Sequence, residues 1–254
     1  MWRGDYLYLI QNLILKDFRI RYRNMSLGVL WSLVNPLVMM GVLTFVFTKV
    51  FISAIPHFPV FVLCGMIPYN FFTVAWIAGT TSIVDSAGLV KRVPVPREVV
   101  PITTVLSNCV HLLVQICLLL SMVVFFYGVN RQWFWLPLVW ALEIVFVCGL
   151  VLLTSSINVY IRDTRYVVES ANMVLFWLVP IIYDFSLVPE RYRRFYEINP
   201  LAALVLSLRR ILLHAEAPDG STHTLWKLAV VSFTVFAAGL LLFHRMKPRF
   251  YEHI

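Results

Sequence analysis

Asp85-Ser-Ala-Gly-Leu-Val-Lys-Arg-Val-Pro-Val-Pro-Arg-Glu-Val-Val-Pro101 is the stretch that decides how the chain is read. Charge is concentrated here, and the flanking apolar segments are each long enough to cross a bilayer. Pro94 and Pro96 stop a helix from running through, because each lacks an N–H and biases its predecessor away from the helical region. Lys91, Arg92 and Arg97 then face water or a partner, with Glu98 beside them. A rigid, basic, proline-braced elbow between two membrane helices is either a docking point or a loop held inside by its positive charge.

Composition agrees with membrane helices. Of 254 residues, 60% are hydrophobic and 13% charged, against roughly a quarter charged in soluble domains. Mean hydropathy is +0.81. The expectation is an all-α integral membrane protein with about six spans and short loops. The formal charge of +8 points to anionic headgroups and topology control. It does not point to nucleic acid, because the basic residues lie between spans and not on one aromatic-interleaved face. Cys64, Cys109, Cys117 and Cys148 fall inside apolar runs without zinc-ligand spacing and read as small packing residues. No metal site and no cleavable signal peptide are expected.

Outward from the elbow, the spans are placed at about 28–51, 60–84, 99–127, 132–159, 166–182 and 225–243. Residues 1–27 are too polar to span and form an amphipathic interface helix, so the spanning unit covers 28–254. Lys16, Arg19 and Arg23 share its polar face with Asn12. Tyr6, Leu9, Ile10, Leu13, Ile14 and Ile20 form the apolar face. Asp17 and Arg21, four apart, can pair. In the first span Pro36 removes the donor that the Ser32 carbonyl would otherwise have. Ser32, Asn35, Thr44 and Thr48 face a pathway or bond to neighbouring helices. His111, one turn from Gln115, reads as a hydrogen-bonded packing histidine, and Glu143 as a structural or protonated carboxyl.

The fifth span ends at Pro180. Beyond it, Tyr183 to Thr224 holds five Arg and five acidic residues. Two short helices are expected within about 186–213, the second starting at Asn199-Pro200 as a cap and a first-turn proline. Its apolar run is too short to cross, which suggests a re-entrant or interfacial helix. With both termini inside, 13 Lys/Arg lie on the cytoplasmic side and eight on the other, where acids offset five of them.

Chemistry of its own is missing from the chain. There is no Gly-x-x-x-x-Gly-Lys-Ser/Thr loop, no His-Glu-x-x-His and no Gly-x-Ser-x-Gly. What remains is a translocator powered from elsewhere.

Several fragments, in order, carry a resemblance. They are Lys16-Asp-Phe-Arg-Ile-Arg-Tyr-Arg23, Ser26 to Pro36, the elbow Leu89 to Pro101, Asn158-Val-Tyr-Ile-Arg-Asp163, Asn199-Pro-Leu-Ala-Ala203 and the basic-aromatic tail ending near Glu252. Together they resemble the permease subunits of type-2 ABC exporters for polysaccharides such as O-antigen, capsule and teichoic acid precursors. The resemblance implies a homodimer in a bacterial inner membrane. It also implies two separate ATP-binding cassette subunits that bind ATP and Mg, so that this chain is no enzyme and needs no cofactor. ATPase contacts would be Lys91, Arg92, Pro94, Pro96, Arg97 and Glu98 in the elbow, and Arg162, Asp163 and Arg165 in the second cytoplasmic connection. Lys16, Arg19, Arg21 and Arg23 would meet the diphosphate of a lipid-linked glycan. Trp31, Phe45, Phe47, Tyr69, Phe72, Phe176 and Trp177 would offer sugar-stacking aromatics along the pathway. Arg191, Arg193, Arg194, Arg209 and Arg210 would belong to an outer gate. Rival readings are a permease of the same fold for a drug or small lipid, a membrane-embedded lipid-modifying enzyme, and a membrane scaffold.

Overall fold

A computed structural model describes residues 6–23, 28–51, 55–92, 96–218 and 224–250. Among these the chain is all-helical. Helix α1 is Tyr6–Tyr22, α2 Trp31–Phe45, α3 Phe58–Asp85, α4 Ala87–Arg92 and α5 Val99–Tyr127. They are followed by α6 Leu136–Tyr160, α7 Thr164–Leu178, α8 Glu190–Ile198, α9 Pro200–Leu213 and α10 Thr224–Met246. Among the described residues, five segments are long and apolar enough to cross a membrane: Trp31–Val50, Phe58–Asp85, Val99–Tyr127, Arg131–Tyr160 and Thr224–Arg249.

The expected span at 166–182 differs. Helix α7 has 15 residues, about 22 Å of helix against a hydrocarbon core of about 30 Å. Pro180 is the reason: it favours an extended predecessor, and Val179 sits at φ −107°, ψ 133°. The chain then runs without helix to Asp184. Val179 and Ile181 are fully buried. Non-helical backbone at this depth survives only where protein encloses it and supplies donors.

The hub is α3. Its residues from Phe58 to Trp76 are mostly buried against α5, α6, α7 and α9. Helices α6 and α10 run parallel in closest approach. A Cβ on Gly149 would lie 2.6 Å from the Phe236 amide nitrogen, and one on Gly239 would lie 2.4 Å from the Gly149 carbonyl oxygen. Only glycine permits this backbone contact, the small-residue packing that membrane helices use where no hydrophobic force drives association. Asn199 caps α9 by accepting from the Leu201 N–H at 3.1 Å, and Pro200 takes the first turn as expected. Helix α9 is buried along Leu201–Leu212, which seats it within the bundle.

Helix α2 is the least enclosed, with 6% of its apolar window buried. The carbonyl orphaned by Pro36 has found a donor: Gln115 Nε2 on α5 reaches Ser32 O at 2.9 Å. Gln115→Leu should lower the stability of the detergent-solubilised chain by about 1 kcal/mol. In a Pro36→Ala background, which restores the helical donor, the same change should cost clearly less. Equal costs in the two backgrounds, read by unfolding, would show that the glutamine does not serve that carbonyl.

Candidate functional site

The elbow, the second connection and the tail meet at one end of the bundle. Helix α4 leaves α3 after a single residue and carries Lys91 exposed. Arg162, Asp163 and Arg165 are exposed in the second connection, with Arg165 paired to Glu169 at 2.8 Å. The Arg92 side chain and Pro94 lie outside the described residues; Pro96 is half-buried.

Arg97 and Glu98 are placed differently from expectation. Glu98 bonds Lys247 Nζ at 2.8 Å. Arg97 donates to the Lys247 carbonyl and lies 5.9 Å from the ring centre of Phe250. Phe250 is fully buried against Phe243 and Tyr160, and Tyr160 donates to the Met246 carbonyl at 2.9 Å. Both elbow residues therefore clasp the chain's own tail. The sequence reading sets Arg97 and Glu98 toward an ATP-binding subunit and does not reach their contact with the tail.

On α1 the packed side differs in part from the expected apolar face. Leu9, Ile10, Leu13 and Ile14 are partly buried, as are Phe18 and Tyr22, whereas Tyr6 and Ile20 are 49% and 63% exposed. Contact with α5 selects this side. Lys16, Arg19 and Arg23 are exposed, and the Arg21 side chain lies outside the described residues.

Where α1 ends, α2, α3 and α5 line an open cavity of about 260 Å³ with mixed polar and apolar walls. Tyr22 reaches His111 through its hydroxyl. Asn108 donates to the Thr104 carbonyl at 2.7 Å, and Gln115 serves Ser32. Asn35 and Asn70 face the cavity with no intrachain hydrogen bond among the described residues. Trp31, 44% exposed, forms part of the wall. The lining carries amides, two hydroxyls, an imidazole and an indole beside the apolar Phe71, Val74 and Leu112, but no carboxylate, ammonium or guanidinium group. Neutral donors and acceptors beside an aromatic face suit polyhydroxyl groups. Asn70 and Asn108 escaped sequence reading, although an amide inside an apolar run is itself a signal.

The other aromatics expected along a pathway lie outside this cavity. Tyr69 and Phe72 are core residues, 8% and 1% exposed. Tyr69 donates to the Asn172 carbonyl, and Phe72 stacks on Phe146 at 6.1 Å. Phe176 packs edge-on to Tyr69 at 5.5 Å, and Phe47 stacks on Phe58 at 5.7 Å. Phe45 and Trp177 are each 65% exposed on the bundle surface. Glu143 is buried on α6 with both carboxyl oxygens lacking a hydrogen-bond partner.

At the opposite end, Arg209 gathers the backbone left free after α7. It donates to Ile181 O at 2.6 Å, Phe61 O at 3.3 Å and Tyr183 O at 3.5 Å. Its guanidinium carbon lies 3.4 Å from the Phe61 ring centre, a cation–π contact. A Cβ on Gly65 would come within 3.0 Å of Ile181 Cα. Arg193 holds the Val188 and Ser186 carbonyls at 3.0 and 3.3 Å. Arg209 and Arg193 thus tie backbone carbonyls together at this end. Arg191 is exposed beside Tyr192, Arg210 is half-buried, and the Arg194 side chain lies outside the described residues.

The tail clasp has a definite pH response. Burial works against ionisation of Glu98, but the bond from Lys247, a backbone N–H and the nearby charges of Lys247 and His244 together hold its carboxyl below the ordinary 4.5. A lowered carboxylate pKa contributes stability above the unfolded value and loses it as pH falls through the folded one. Hydrogen exchange of the amides of 247, 249 and 250, taken relative to the intrinsic rate at each pH, should therefore be slow at pH 6 and accelerate only below about 4.5. In Glu98→Gln it should be faster at pH 6 and lack that step. Identical profiles would show that the pair does not hold the tail.

Comparison with known proteins follows the same outline. The family description "ABC-2 type transporter" matches residues 8–213. An O-antigen export system permease protein of Klebsiella pneumoniae is 30% identical, covering 98% of this chain and 94% of that protein. One from Myxococcus xanthus is 28% identical over 98% and 96%. A polysialic acid transport protein of Escherichia coli is 25% identical over 92% of each. With the family match spanning most of its length and the relatives nearly all of it, the chain belongs to the ABC-2 type transporter membrane family.

Proposed function

We propose that this chain is the transmembrane permease subunit of an ATP-driven exporter that moves a lipid-linked polysaccharide across a bacterial inner membrane. The observation that carries the reading is near full-length similarity to O-antigen export permeases. With no phosphate-cradling loop of its own, the chain takes its energy from a separate ATP-binding subunit, which also holds ATP and Mg. Two copies of the permease assemble with two such subunits. The bare apolar surfaces of α2 and α7 support pairing with a second copy, because Phe45, Met173, Val174 and Trp177 are all exposed in the single chain.

Both termini lie in the cytoplasm, following the bias of positive charge. The elbow end then faces the ATP-binding subunit. Helix α4 with Lys91, and Arg162, Asp163 and Arg165, form the contact. Arg97 and Glu98 transmit movement from α4 to the tail and so to α10. The exposed cations Lys16, Arg19 and Arg23 attract the diphosphate at the cytoplasmic surface. The sugars enter the neutral cavity, where Asn35 and Asn70 offer unused hydrogen-bonding groups. Helices α8 and α9 form the outer gate.

Proteoliposomes containing the chain and its ATP-binding subunit test this. Lipid-linked glycan supplied on the ATP side should cross only when both proteins and ATP are present. Asn35→Leu and Asn70→Leu should each slow transport about tenfold, the value of one hydrogen bond of ~1.4 kcal/mol, while unstimulated ATPase activity persists. Turnover of the glycan by the chain alone, or ATPase stimulation by small amphiphiles and not by glycan, would overturn the reading.

A further inference from the structure

The end of the bundle opposite the tail holds a second cavity, of about 500 Å³, whose lining includes Arg193, Arg209, Arg210, His214, Asp184 and Glu216. These groups are not equally available. Arg209 is spent on three carbonyls. Arg193 is spent on two carbonyls and on Glu190 at 3.7 Å. Asp184 accepts the Ser186 N–H at 2.7 Å and faces the charges of Arg209 and His214.

Arg210 is different. It has no hydrogen bond or ion pair from its side chain among the described residues, and its Nη1 is shut from solvent without an acceptor. Glu216 donates its backbone N–H to the Arg210 carbonyl at 3.0 Å, yet its exposed carboxylate does not pair with the guanidinium. A walled-off guanidinium N–H without a partner is costly. Three arginines against two carboxylates leave the cavity with an excess of positive charge.

We propose that this cavity is a phosphate-binding site in which Arg210 is the principal ligand, taking a phosphate or diphosphate group. The arginine fork matches two oxygens of a tetrahedral phosphate, and the neighbouring guanidinium groups raise the local potential for a multiply charged anion. The cavity as a whole, about 500 Å³, exceeds what a single carboxylate would fill. The same chemistry is presented by the headgroup of a membrane lipid and by free phosphate. The proposal concerns a different cavity from the neutral one assigned to sugars and does not require the export reading.

The test uses the full chain in nanodiscs, without ATP or a partner subunit, so its failure and failure of the export reading are separable. In one arm, inorganic pyrophosphate is titrated into phosphatidylcholine nanodiscs by calorimetry. In the other, a polyprenyl diphosphate is built into the disc and followed by phosphorus NMR. Binding in the first arm assigns a soluble source, and binding in the second alone assigns a lipid headgroup; each supports the site. Arg210→Gln should weaken binding about tenfold or more, and Arg210→Lys by less. Glu216→Gln, which removes a competing carboxylate, should tighten it. Arg131→Gln, an exposed cation at the same end, should leave it unchanged. No binding in either arm, equal binding by wild type and Arg210→Gln, or equal loss in Arg131→Gln overturns the proposal. Should Arg210→Gln fail to fold, absence of tightening in Glu216→Gln overturns it alone.

Discussion

A backbone carbonyl freed inside an apolar helix must be given a donor by the protein, because hydrocarbon supplies none. The architecture turns on two instances. Pro36 frees Ser32, and Gln115 answers from α5. Pro180 ends α7, and Arg209 answers for Ile181 and Tyr183 while also holding Phe61 on α3. Each answer brings a long polar side chain into the bundle, and each lies at the edge of a cavity. The polar places in this molecule therefore begin as repairs to broken helices. The neutral repair adjoins neutral amides, and the cationic one adjoins further arginines.

Between these places the bundle is closely packed. The contact of Gly149 with Gly239 locks α6 to α10, and α3 fills the centre. The clasp of Arg97, Glu98, Lys247 and Phe250 ties the start of α5 to the end of α10. A push delivered to α4 would therefore move α3, α5 and α10 together, while α2 is held more lightly. Well-packed bodies shift as units, with differences accommodated where packing is loose.

Sequence reading reached the helices whose signals are local. Length and hydropathy located five spans, Asn199-Pro200 marked the start of α9, and Pro36 identified the carbonyl that needed a donor. It did not reach the donors themselves, since Gln115 is 83 residues from Ser32 and Arg209 is 28 from Ile181. The fifth expected span, 166–182, runs too far because apolar residues continue past Val179, although the backbone there leaves the helix. Arg97 and Glu98 read as facing water or a partner for the same reason: charge is visible in a sequence, but a contact 149 residues away, as Lys247 is from Glu98, is not. Tyr69 and Phe72 show the corresponding limit for aromatics, since packing on α7 and α6 decides their role.

The central claim is that this chain has no motor and receives its push at the elbow end. A photo-crosslinking amino acid at Lys91, with a matching probe at Tyr192 on the opposite end, tests it in membranes containing the ATP-binding subunit. The account predicts a crosslink to that subunit from position 91 and none from position 192. A crosslink from 192 alone, or from neither position in a complex that hydrolyses ATP, would contradict it.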